Sequence, residues 1–154
     1  NNAEIGKFIL QRKFKEACAL IDQSVVQEAL VEQPTNFVGA LRRLPKKILT
    51  IYVHAYQSLL FNKVLESLPE DDLPKTLPLV GFDTDSTMYD YFLEKDEISK
   101  RNFIIREIPD LTCEGTERET TFTLDDLEIS SLEDDELYQG KKKTTVTFSL
   151  SRGA

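Results

Sequence analysis

Apolar residues recur at helical spacing through the first 68 positions and then give way to short alternating runs. Over residues 4–22, Ile5, Phe8, Ile9, Ala17, Leu20 and Ile21 share a face, and the polar stretch Gln11 to Lys13 divides the segment into two short helices. Residues 23–33 continue as helix, with Val25, Val26, Ala29 and Leu30 on one side. Pro34-Thr35-Asn36 then punctuates the chain, and Asn36 carries the side-chain acceptor that an N-cap needs for a helix starting at Phe37. Pro45 ends that helix and sits in the first turn of the next.

The clearest periodicity runs from about Pro45 to Leu68. Leu49, Val53, Tyr56, Leu60, Val64 and Leu68 form one stripe, which Ile48, Ile51, Tyr52, Ala55, Leu59 and Phe61 widen until the helix is apolar nearly all round. A helix of that kind is expected to be largely buried. One line differs: His54, Ser58 and Asn62 fall at i, i+4 and i+8, with Gln57 beside them.

Past the helix stop Pro69 to Pro74, the pattern changes. Thr76 to Phe82 reads as a strand, and Ser86 as the cap of a helix from Thr87 to about Lys95, with a further turn over 96–100. Strands are expected at Phe103–Ile108 and Arg118–Leu124, with Leu127–Leu132 pairing nearby. Glu133–Glu136 reads as an acidic loop. The Lys143–Leu150 strand is the clearest, with Val146, Phe148 and Leu150 on one face. Helices first and strands after predict an α+β fold: a helical N-terminal half with a long buried helix, then a small, mostly antiparallel sheet with one or two helices. The expected organisation is a helical part over 1–68, an α+β part over 69–143, and a returning strand over 144–154.

At 154 residues, with 40% hydrophobic and 30% charged residues, the chain has the size and composition of a domain with its own core. No apolar run approaches the roughly 20 residues of a membrane helix, so no membrane partner is expected. The absence of a starting Met and the ending Ser151-Arg152-Gly153-Ala154 suggest a piece of a longer protein. Cys18 and Cys113, far apart and without a CxxC, read as two reduced thiols in a cytoplasmic protein.

The net charge of −8 is unevenly spread: residues 1–67 carry nine Lys/Arg against six Asp/Glu, and residues 68–154 carry ten against twenty-one. A generic nucleic-acid binder is basic throughout; here only a local patch in the first half is on offer. That patch is the elbow Arg42, Arg43, Lys46, Lys47, which leads into the polar line of the long helix. Cations beside polar groups suit an RNA surface, the cations fixing phosphates and the polar groups meeting sugars and bases. A solvated helix junction is the plainer reading of the same charges. Lys141-Lys142-Lys143 reads as a solvated strand start.

Other chemistries find few parts. One His and two scattered Cys do not make a zinc site. The acidic run 133–136 lacks the alternating ligands and Gly of a calcium loop. His54 and Ser58 lie one turn apart, but no G-x-S-x-G elbow accompanies them. No Gly-rich phosphate loop is present, so neither a metal, a nucleotide nor any other cofactor is expected.

Ala40-Leu41-Arg42-Arg43-Leu44-Pro45, Tyr52-Val53-His54-Ala55-Tyr56-Gln57-Ser58 and Phe61-Asn62 together resemble A-L-R-x-x-P…(Y/F)-x-H-A-Y-Q-S-x-x-(F/W)-N. That pattern belongs to the TruD family of tRNA pseudouridine synthases, in its archaeal and eukaryotic branch. Ile5-Gly6-Lys7-Phe8 with Phe14-Lys15-Glu16-Ala17, Leu77 to Phe82, Phe103 through Arg118, and Thr147 to Leu150 with Gly153-Ala154 are similar to further family stretches in the same order. The family's G-x-K-D-type motif with its catalytic Asp, and its N-x-F-G-x-Q-R-F-G signature, have no counterpart here. Lys95-Asp96 has the dipeptide without its context, so no catalytic role passes to Asp96.

The resemblance implies the family's inserted domain, taken from an enzyme that isomerises uridine, typically at tRNA position 13, to pseudouridine without metal or cofactor. Its catalytic Asp is expected upstream of Asn1, leaving this chain inactive alone. Its partners would be tRNA and the rest of its own catalytic domain. Arg42, Arg43, Lys46 and Lys47 would lie near phosphate, and His54, Gln57, Ser58 and Asn62 would position or support. A stand-alone RNA- or protein-binding module without chemistry is the alternative.

Overall fold

A computed structural model describes residues 1–150; Gly153 and Ala154 of the family resemblance, and the end of the 144–154 segment, lie outside the described residues. Residues 1–118 and 119–154 form two separate compact units.

In the first unit the helical segments are α1 (Asn2–Leu10), α2 (Phe14–Ala19), α3 (Ser24–Glu32), α4 (Phe37–Leu41) and α5 (Lys46–Ser67). The polar break falls where the sequence places it: Arg12 adopts φ 63° between α1 and α2. Asn36 caps α4 by accepting from Gly39 N at 2.9 Å, which satisfies one of the helix's orphan donors. Pro45 stands at the N-cap of α5.

The 22 residues of α5 run through the core, with Leu49, Tyr52, Val53, Tyr56, Leu60, Phe61 and Val64 buried. Burial does not go all round, since Ile51 and Leu59 are exposed. Against α5 lies α1, so close that a Cβ on Gly6 would stand 2.0 Å from the Tyr52 carbonyl oxygen. Gly6 is therefore the residue that lets the two backbones meet, despite its cost inside a helix.

The strands that follow are grouped in two-stranded pairs. Strand β1 (Thr76–Leu79) pairs with β2 (Thr116–Glu119). Between them lie the short α6 (Asp90–Lys95) and 3-10 turns at Lys100–Phe103 and Pro109–Leu111. The strand expected at 103–108 is not formed. Phe103, Ile105 and Ile108 are buried in alternation with exposed Ile104 and Arg106, which explains the strand-like pattern. Their backbone bonds go elsewhere: Ile105 N donates to Thr112 Oγ1 at 3.1 Å, and Cys113 N to the Phe103 carbonyl at 3.1 Å.

The second unit is an antiparallel ribbon. Strand β3 (Asp125–Ile129) pairs with β6 (Val146–Ser149), and β4 (Glu133–Asp134) with β5 (Lys142–Lys143). Glu133 and Asp134, expected in a loop, are thus strand residues facing Lys143 and Lys142. Ser130 N donates to the Thr145 carbonyl at 2.9 Å, joining the two pairs, and Gly140 takes φ 80° at the tip.

Candidate nucleic-acid interface

The basic elbow is built by the α4–α5 junction. Leu41 and Leu44 are buried beneath it, so the intervening and following cations are forced outward. Arg42, Arg43, Lys46 and Lys47 are all exposed. Arg42 Nη2 donates to the Glu107 carbonyl at 2.6 Å, Arg43 pairs with Glu32 at 3.3 Å, and Lys46 with Asp110 at 3.1 Å. Lys47 has no partner among the described residues. Exposed pairs of this kind are worth about 0–1 kcal/mol and exchange readily with a competing anion.

The polar line of α5 divides. His54 and Asn62 are exposed and Ser58 is half-buried. Arg118 lies over the Phe61 ring at 5.1 Å and reaches Ser58 Oγ at 3.5 Å. Gln57 turns the other way: it is 5% exposed, and its Nε2 donates to the Val80 carbonyl at 2.7 Å. It thereby fixes the chain just after β1 to the long helix, and its amide is a tether of the fold.

Asp96 is likewise engaged. Its Oδ2 accepts from the Tyr56 hydroxyl at 3.0 Å and its Oδ1 lies 3.5 Å from Lys7 Nζ. Burial, the Asp96 charge and this hydrogen bond together push the Tyr56 phenol far above its ordinary range. Cys18 and Cys113 are free and buried, and burial raises both thiols to about 11. They are neutral, poor nucleophiles at ordinary pH.

A neighbouring cationic surface was not apparent from the charge pattern. Arg12, at the α1–α2 break, donates to the carbonyls of Leu10 at 2.8 Å, Asn102 at 3.0 Å and Ile104 at 2.7 Å, and its Nε lies 3.0 Å from Glu107 Oε2. With Arg101, Ile104, Arg106 and Glu107 it lines a groove of about 390 Å³. The local signal was Lys100-Arg101 and Arg106, but these sit in the acid-rich half of the sequence.

Residues 4–81, just over half of the chain, match the sequence profile of tRNA pseudouridine synthase D (TruD). The α+β fold is that of a solved protein of this class: a TruD crystal structure from Methanosarcina mazei superposes with a TM-score of 0.77 at 18% identity, covering 99% of this chain and 55% of that one. The chain belongs to the TruD family. Among curated relatives, a probable tRNA pseudouridine synthase D of Methanopyrus kandleri is 31% identical over 149 residues, covering 83% of this chain and 35% of the relative. That of Methanosarcina acetivorans is 24% identical over 200 residues, covering 93% and 45%. The chain thus spans less than half the length of each of these two relatives. No helix among the described residues is long and apolar enough to cross a membrane.

Proposed function

We propose that this chain is the insertion-domain portion of a tRNA pseudouridine synthase and supplies one wall of its RNA cleft. The observation that carries this reading is the family match over residues 4–81, which contains both the exposed elbow and the polar line of α5. The complete enzyme converts a uridine, at position 13 of its tRNA, to pseudouridine. An Asp carboxylate near C1′ of the ribose acts as the glycosidic bond breaks, the uracil turns, and C5 rejoins the sugar. The base must leave the stack for this to happen, and a wall that grips the flanking backbone helps to hold it out.

In this reading the catalytic Asp lies outside the 154 residues, since no segment here carries its motif and Asp96 is occupied by Tyr56 and Lys7. Arg42, Arg43, Lys46 and Lys47 meet phosphate, exchanging their exposed pairings for it. His54, Ser58 and Asn62 face the RNA or its neighbours in the complete enzyme, while Gln57 holds the helix in place. The segment 144–150 leads back toward the catalytic domain.

The test is pseudouridine formation on a tRNA transcript, comparing this chain with the same chain extended by its native flanking sequence. Activity is expected only in the extended protein. Activity in the bare chain would move the catalytic carboxylate inside these residues. Inactivity of both, with tRNA still bound, would favour a binding module without chemistry.

A further inference from the structure

We propose that Arg101 and Arg106 form a second phosphate-binding site, in the groove lined with Arg12, Ile104 and Glu107, that takes the sugar–phosphate backbone of an RNA strand beyond the α4–α5 elbow. The proposal rests on the RNA reading above and extends it to residues outside the basic half of the sequence.

The first support is a contrast in how the cations are used. At the elbow, Arg42, Arg43 and Lys46 each have a protein acceptor. Arg101 and Arg106 are exposed, and their guanidinium groups have no hydrogen-bonding or ionic partner among the described residues. Residues 68–154 carry an excess of acid, with ample carboxylates to neutralise an arginine, yet these two guanidinium groups are left open on one groove.

The second support is the rigidity of the loop beneath them. Ser99 and Asn102 close a reciprocal capping box at its start. Asn102 Nδ2 donates to the Leu10 carbonyl at 2.9 Å, and Arg12 donates to the carbonyls of Asn102 and Ile104. Arg42 donates to the Glu107 carbonyl, and Ile105 N to Thr112 Oγ1. Three elements therefore pin the segment 99–107 while none uses its two outward arginines. A planar guanidinium on a fixed backbone suits bidentate phosphate recognition and loses less entropy in doing so.

The third support is local charge. The lining holds three Arg and one Glu, and the Glu107 carboxylate is already met by Arg12 Nε at 3.0 Å. An anion entering the groove thus meets a net positive wall. Ile104, 39% exposed, adds an apolar surface against which a sugar or base edge can rest. Because Arg42 of the elbow touches residue 107 of the groove, the two cationic surfaces are continuous. A strand held at the elbow is led directly into the groove.

The experiment is fluorescence anisotropy of a labelled tRNA transcript with the chain extended by its native flanking sequence, across a series of KCl concentrations, for the unaltered chain, R101Q/R106Q and R101K/R106K. Each phosphate contact contributes about 0.7–0.9 to the slope of log K against log salt, so R101Q/R106Q is expected to lower that slope by about 1.4–1.8. The lysine pair should recover most of it. Neither arginine side chain holds another group among the described residues, so the thermal melt of R101Q/R106Q should match that of the unaltered chain. A full slope in R101Q/R106Q would overturn the groove while leaving RNA binding by the chain intact. Absence of salt-dependent tRNA binding by the unaltered chain would overturn the RNA reading and the groove together.

Discussion

Residues 1–118 and 119–154 solve the problem of folding in different ways. In the first unit, fully buried side chains such as Tyr56, Leu60, Tyr89, Phe103 and Ile105 remove large apolar surfaces from water. Buried polar atoms there are mostly tied to named partners, as Gln57 is to Val80 and Tyr56 to Asp96. The second unit leaves Leu127, Ile129, Val146, Phe148 and Leu150 between 45% and 66% exposed, and is held by ribbon hydrogen bonds and surface ion pairs such as Lys142–Asp134. A two-stranded ribbon without a covered face is marginal by itself. The comparison separates two sources of order, burial in one unit and backbone pairing in the other.

Truncation of a large side chain is the strongest way to expose that difference. Phe103→Ala removes a ring that is 0% exposed and should cost about 3–5 kcal/mol in urea unfolding of the chain followed by circular dichroism. Phe148→Ala removes the same ring from a position that is 45% exposed, and should cost a small fraction of that. Equal losses would show that the ribbon carries a core of its own.

Gly6→Ala probes the close approach in the first unit. Helix propensity alone favours Ala by about 1 kcal/mol. The clash with the Tyr52 carbonyl should reverse the sign and leave a net loss of about 1–3 kcal/mol in the same assay. Net stabilisation would mean that α1 and α5 separate without penalty.

A smaller effect concerns pH. The thiols of Cys18 and Cys113 ionise near 9 when unfolded and near 11 when folded. Between those values the unfolded chain has released protons that the folded one retains. Stability should therefore be insensitive to these groups below about pH 9 and fall as pH rises through about 11. Replacing both by Ser or Ala should flatten that part of the urea-midpoint profile, and native-state alkylation at pH 8 should be slow.

Local chemistry made much of the helical half legible. Asn36 could be read as a cap because capping needs only a side-chain oxygen three residues from an amide, and Asn36 does accept from Gly39 N. The 11–13 break and the α5 boundaries followed from polar residues and prolines. The alternation at 103–108 misled because burial in alternate positions is compatible with a wound loop whose amides find side chains and distant carbonyls. The elbow cations could be named from spacing, whereas their acceptors at Glu107 and Asp110 lie more than sixty residues away.

By itself the sequence determined the α+β order, the long helix and the family, because helical period, caps and the H-A-Y-Q-S segment are local properties of the chain. Tertiary structure alone decided that Gln57 is a buried tether while His54 and Asn62 face outward, that Gly6 lets two backbones meet, and that Arg12, Arg101 and Arg106 share one groove. Each of these depends on which distant segment fills the space beside a residue, and packing between segments far apart in the chain has no period to read.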